Sequence, residues 1–143
     1  MRFMMIVKAN QESESGAMPD EAALAAMGKY NEELVKAGVL LDATGLAPSS
    51  EGARVRFSAG GKRKVIDGPF TESKELVAGY WVIQVKSREE AIEWAKRIPF
   101  EADPKTGVEP EVELRRLFEL DEFVPGPAID QARALEAELA RKK

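Results

Sequence analysis

Apolar side chains along this chain recur with two different periods, and the alternation between the two predicts its elements. Residues 2–9, Arg-Phe-Met-Met-Ile-Val-Lys-Ala, contain no turn former and read as a buried opening strand. A polar loop follows over 10–18. Pro19-Asp20-Glu21 then supplies a turn former, a capping carboxylate and an acidic first turn, and Gly38 ends the helical pattern, which predicts a helix over 20–37. Its apolar stripe is Leu24, Met27, Tyr30 or Asn31, Leu34 and Val35, with Lys29, Glu32, Glu33 and Lys36 on the other face. Residues 39–46 form a second predicted strand, broken by Pro48-Ser49-Ser50-Glu51-Gly52. Arg54 to Ser58 alternates polar and apolar residues, Ala59-Gly60-Gly61-Lys62 turns the chain, and residues 63–66 lead back as a hairpin.

Val77 to Lys86 carries aromatic and β-branched residues on both faces, as a central strand does. Ser87-Arg88-Glu89-Glu90 is a capping-box pattern opening a helix with Ala91, Trp94, Ala95 and Ile98 on its apolar face; Pro99 stops it. A loop over 100–110 leads to a last strand at 111–117. The order β-α-β-(hairpin)-β-α-β predicts an α+β fold, a ferredoxin-like split βαβ with both helices on one face of an antiparallel sheet. Strand 77–86 then offers apolar side chains to the uncovered face as well, and a second subunit is the economical cover. After Pro125-Gly126-Pro127, residues 128–143 carry Ile129, Ala132, Leu135 and Leu139 on one helical stripe. Such a helix is marginal alone and is expected to dock on its own domain or on a partner subunit. The predicted organisation is therefore a domain over 1–124 and a helical tail over 125–143.

Composition narrows the chemistry. The 143 residues suit one domain, and 32% charged with 44% apolar residues is an ordinary balance for a soluble chain. No apolar run approaches the roughly 20 residues of a membrane span, and Lys8 closes the first run too early for a signal-peptide core, so a cytoplasmic protein with no membrane contact is expected. The absence of cysteine excludes disulfides and thiolate nucleophiles; the absence of histidine removes an imidazole base and makes zinc an improbable metal. An all-oxygen site would suit magnesium, calcium or manganese, but no calcium-loop spacing occurs, and no metal or cofactor is expected. Phosphate-loop and dinucleotide fingerprints are absent. A net charge of −4 argues against nucleic acid as a partner, and the basic cluster Arg54, Arg56, Lys62, Arg63 and Lys64 reads as a solvated hairpin.

Candidate chemistry gathers around Asp67-Gly68-Pro69-Phe70 and the Thr71-Glu72-Ser73-Lys74-Glu75 run after it. Asp67 and Gly68 are turn formers, Pro69 fixes φ, and Phe70 can anchor the bend by burial. Asp67 either accepts backbone N–H bonds in an Asx turn or faces a ligand. Catalytic candidates are Asp67, Lys74 and Tyr30, each needing burial or a charged neighbour to bring its pKa toward neutrality. Ligand-contact candidates are Asp42, Phe70, Glu75 and Trp81, while Trp94 on an apolar helix stripe reads as core.

The stretch Val65-Ile66-Asp67-Gly68-Pro69-Phe70-Thr71-Glu72-Ser73-Lys74-Glu75, with Val77-Ala78-Gly79-Tyr80-Trp81-Val82-Ile83 and Ser87 to Ala95, resembles the DGPF branch of the YCII-related protein family. Tyr30 to Leu34, Ala37 to Leu41, Gly45 to Pro48 and Glu111 to Arg115 fit as well, so the resemblance covers Met1 to about Phe123. It implies a ferredoxin-like subunit pairing sheet to sheet in a dimeric α+β barrel. Relatives are suspected of acid–base catalysis through a histidine on the first helix and a nearby aspartate. This chain carries Met27 or Tyr30 in that region, so no histidine–aspartate dyad is present. The resemblance also implies a regulatory link, since DGPF proteins are often encoded beside alternative sigma factors. The expected function is a small-molecule-binding homodimer with lyase- or isomerase-like acid–base chemistry near the motif. The alternative is a non-catalytic ligand sensor or regulatory interaction protein.

Overall fold

The computed structural model describes residues 1–142; Lys143, the predicted end of the tail helix, lies outside the described residues. Six strands are β1 (Arg2–Lys8), β2 (Leu40–Gly45), β3 (Ala53–Phe57), β4 (Arg63–Asp67), β5 (Val77–Gln84) and β6 (Val112–Arg116). Four α-helices are α1 (Gln11–Glu14), α2 (Glu21–Lys36), α3 (Arg88–Lys96) and α4 (Pro127–Arg141). A four-stranded antiparallel sheet has the order β2-β5-β1-β6, and β3 and β4 form a separate two-stranded ribbon. With α2 joining β1 to β2 and α3 joining β5 to β6, this is the ferredoxin-like α+β arrangement, extended by the ribbon and a C-terminal helix.

The helix boundaries follow from their caps. Asp20 accepts from the Ala23 N–H at 2.8 Å at the start of α2, and Gly38 takes φ +73° just beyond its end, a conformation that favours glycine. Ser87 accepts from the Glu90 N–H at 3.1 Å to open α3; the Glu90 carboxylate reaches back to the Lys86 N–H at 2.8 Å rather than to the cap residue itself. The segment 10–18 is not all loop. Asn10 and Ser13 exchange side-chain and backbone hydrogen bonds at 2.9 Å each, which turns residues 11–14 into the short α1.

The core lies between the sheet and α2 and α3. Phe3 and Met5 of β1, Trp81 and Ile83 of β5, Tyr30 and Leu34 of α2, and Ala91 of α3 form one buried cluster. Register explains which side chains enter it: Phe3 pairs with Ile83, Met5 with Trp81 and with Leu114, so these share the helix-facing side. The alternate positions, Met4, Ile6, Tyr80 and Val82, are half-buried on the opposite face and do not join the cluster. The expected α2 stripe is narrower than its sequence pattern. Tyr30 and Leu34 are buried and Met27 packs against them, but Leu24 and Val35 are 52% and 62% exposed because they flank the line of contact.

Candidate functional site

The Asp67-Gly68-Pro69-Phe70 segment leaves the end of β4 and docks on the turn formed by residues 48–52. The Gly68 N–H donates to the Gly52 carbonyl and the Phe70 N–H to Ser49 Oγ, both at 3.0 Å; the Gly68–Pro69 peptide is cis. Ser49 is in turn gripped by Glu14 of α1, whose carboxylate accepts from the Ser49 N–H at 3.0 Å and from the Ser49 hydroxyl. These two hydrogen bonds hold the Glu14 carboxyl below its usual pKa, the hydroxyl bond contributing most. Above Phe70 sits the Arg54 guanidinium, 3.8 Å from the ring centroid. A shallow concavity of about 380 Å³ beside this dock is lined by Phe70, Leu46, Pro48, Leu76, Val77 and Glu14. Asp67 itself is exposed and pairs with Ala53 across the ribbon. The bonds that hold the turn come from backbone N–H groups and Ser49, so of the two roles weighed for Asp67 the Asx turn is supplied by other groups.

A larger cavity of about 880 Å³ opens at the far end of β1. It gathers Lys8 and Asn10 from the strand end, Lys74 from the short turn before β5, and Glu101, Asp103 and Glu109 from the loop that leads to β6. Backbone bonds frame it: the Lys8 N–H donates to the Glu111 carbonyl at 3.0 Å and the Ala9 N–H to the Leu76 carbonyl at 2.9 Å. The loop closes on itself through the Asp103 N–H to the Val108 carbonyl, with Gly107 at φ +72°. Lysine and carboxylate side chains therefore share one concavity, which can recognise groups of either charge.

The remaining predicted residues do not converge. Tyr30 is 3% exposed, and its hydroxyl donates to the Trp94 carbonyl at 2.7 Å; burial pushes its pKa up to about 12. Its proton is committed within the core. Trp81 is 5% exposed and packs edge-on to Tyr30, with Nε1 donating to Asn31 Oδ1 at 2.7 Å. Both leave the set of groups open to a ligand in the single chain, because β5 turns Trp81 toward the helices and α2 turns Tyr30 toward the sheet. Asp42 lies on the open sheet face, where the Tyr80 hydroxyl donates to its carboxylate at 3.2 Å. Glu75 is exposed beside Lys74. Asp67, Lys74 and Tyr30 thus occupy three separate surroundings. Among the described residues no group of three or more histidine, cysteine, aspartate or glutamate side chains could hold a metal ion. Glu14, Ser49 and Lys8 escaped sequence reasoning; only Ser49, in a turn-forming run, left a local signal.

Residues 1–117 match the YCII-related domain. The chain belongs to the YCII-related family. An uncharacterized protein of Rhizobium meliloti (strain 1021) is 35% identical over 101 residues, covering 68% of this chain and 80% of that relative. The YCII-related match spans all six strands with α1 to α3 and stops before α4.

Proposed function

We propose that the protein, a member of the DGPF branch of its family, is a homodimer that binds a small polar molecule in the cavity beside Lys74. The observation that carries this reading is the cavity itself. Its volume of about 880 Å³ falls in the range of small-ligand sites, roughly 300–1,000 Å³, and it combines Lys8 and Lys74 with carboxylates. The DGPF assignment is supported by the way Gly68 docks on Gly52 and Phe70 on Ser49, which gives the motif a definite structural task. The dimer is supported by Met4, Ile6, Tyr80 and Val82, an apolar sheet face outside the core cluster. Acid–base conversion of the ligand would fall to Lys74 with a neighbouring carboxylate. A non-catalytic sensor, linked to sigma-factor-dependent transcription, is the second reading, favoured by the separation of Asp67, Lys74 and Tyr30.

Calorimetric titration with a panel of small amines, carboxylic acids and amino acids tests the site. Lys74→Met should weaken binding at least about tenfold, the loss of one charge-assisted hydrogen bond, with the melting temperature held. Asp67→Asn should leave binding intact. Equal binding by Lys74→Met and the parent chain would remove the cavity from consideration. Turnover of the bound compound, lost in Lys74→Met, separates the enzyme from the sensor.

A further inference from the structure

The cavity at the end of β1 carries its charges in two groups, one on each flank of that strand. Strands β5 and β6 both run antiparallel to β1, so both begin where β1 stops, on opposite sides of it. Lys74 stands just ahead of β5, and Lys8 pairs with Val77 at the start of that strand. The acids come from the other side. Glu101, Asp103, Glu109 and Glu111 belong to the segment that feeds β6, and Glu12 of α1 joins them in the lining. Asp103 spends one carboxylate oxygen on its own loop, accepting from the Lys105 N–H at 2.8 Å, and so fixes the turn between Glu101 and Glu109. Among the described residues none of these lysines and acids enters an ion pair, whereas Arg2, Arg97, Arg115 and Arg116 elsewhere on the surface all do.

We infer that the cavity takes a basic amino acid, a small zwitterion with excess positive charge, whose carboxylate meets Lys8 and Lys74 and whose side-chain cation meets Glu101 and Glu109. The inference rests on the reading of this cavity as the ligand site. Separation of the flanks comes first: β5 and β6 lie two strand spacings apart, about 10 Å, so a single small ion cannot engage both. Charge balance comes next. Five acids share the concavity with two lysines. Like charges gathered there repel, and a bound cation relieves that repulsion where a dicarboxylate or a phosphate would add to it. A plain diamine, for its part, would set its own charge against Lys8 and Lys74; a carboxylate on the ligand turns that conflict into charge-assisted hydrogen bonds. Among basic side chains a guanidinium fits best, because its planar fork meets carboxylates through two parallel hydrogen bonds. Asn10, Gln11, Ser73 and Thr106 complete the polar lining and can accept from an α-ammonium group.

Calorimetric titration of the full chain compares three probes: L-arginine; agmatine, which is arginine without its carboxylate; and L-citrulline, which keeps the length but ends in an uncharged urea. Arginine should bind at least about tenfold more tightly than either, since each analogue lacks one charge-assisted contact. Two variants assign the ends. Lys74→Met should remove most of the advantage of arginine over agmatine, and Glu101→Gln combined with Glu109→Gln most of its advantage over citrulline, each read as a cycle of ligand and side-chain deletions. The comparison of the three probes uses the parent chain and so holds even where a variant fails to fold. Citrulline or agmatine binding as tightly as arginine overturns the inference. Tighter binding of L-glutamate, lost in Lys74→Met, overturns the basic-amino-acid class and upholds the cavity as the ligand site. Arginine binding left unchanged by both variants overturns the two readings together.

Discussion

Replacing Gly68 by alanine should undo the docking of the Asp67-Gly68-Pro69-Phe70 turn. A Cβ at this position would overlap the Ser49 carbonyl oxygen and lie 2.6 Å from the Ser49 carbonyl carbon, so backbone must move against backbone. The turn then loses the Gly68-to-Gly52 and Phe70-to-Ser49 hydrogen bonds, each contributing about 1 kcal/mol net, and the Arg54–Phe70 contact, about 0.5–1 kcal/mol. The total loss is about 3 kcal/mol. Gly28→Ala is the control: no heavy atom lies within 4 Å of its added Cβ, and alanine in a helix interior stabilises by about 0.5–1 kcal/mol. Urea unfolding at one fixed protein concentration reads both. With a slope of about 2 kcal/mol per molar, the midpoint should fall by about 1.5 M for Gly68→Ala and rise by about 0.4 M for Gly28→Ala. A Gly68→Ala midpoint within about 0.3 M of the parent chain would refute the steric account of this glycine.

Two further outcomes follow from the titrating groups. Burial raises the Tyr30 pKa to about 12 from 10.0, so its contribution is complete below pH 10 and is lost as pH climbs through the folded value. The parent chain should lose about 2 kcal/mol between pH 10 and 12 that Tyr30→Phe, already weakened by about 1–2 kcal/mol, does not lose; parallel urea midpoints for the two across that window would refute this. The Glu14 carboxyl is depressed below 4.5, so its grip on Ser49 contributes fully above that pH and fades as pH falls through the folded value. Glu14→Gln should therefore be less stable than the parent chain at pH 7, with the gap closing as pH falls below 4.5; a gap independent of pH would separate Glu14 from the turn.

The strands and longer helices were legible because each is carried by local pattern and bounded by a local signal: Asp20 and Gly38 around α2, Ser87 ahead of α3, the glycine pair at residues 60–61 in the ribbon. The inward face of β5 was not. Apolar residues occupy both parities of residues 77–86, and only pairing of Met5 with Trp81 assigns Trp81 rather than Tyr80 to the helix side. The grip of Glu14 on Ser49 and of Ser49 on Phe70 was equally hidden. Its members are separated by 35 and 21 residues, and each is of a type common in solvated loops.

Tyr30 also bears on where chemistry can take place. It lies in the region where the family resemblance places a histidine, yet its ring meets Trp81 and Trp94 edge-on at 5.5 and 6.5 Å and its hydroxyl is spent on the Trp94 carbonyl. An aromatic cluster of this kind fills the space between helix and sheet and excludes water from it. A polar ligand entering there would have to displace three rings and strip a buried hydrogen bond. The charged cavity at the end of β1 imposes neither cost, since Lys8 and Lys74 already stand at its wall. Tyr30→His, which cannot fill the same volume, should loosen the core without creating a catalytic dyad: Asp67 is on the exposed ribbon and Asp42 on the opposite sheet face.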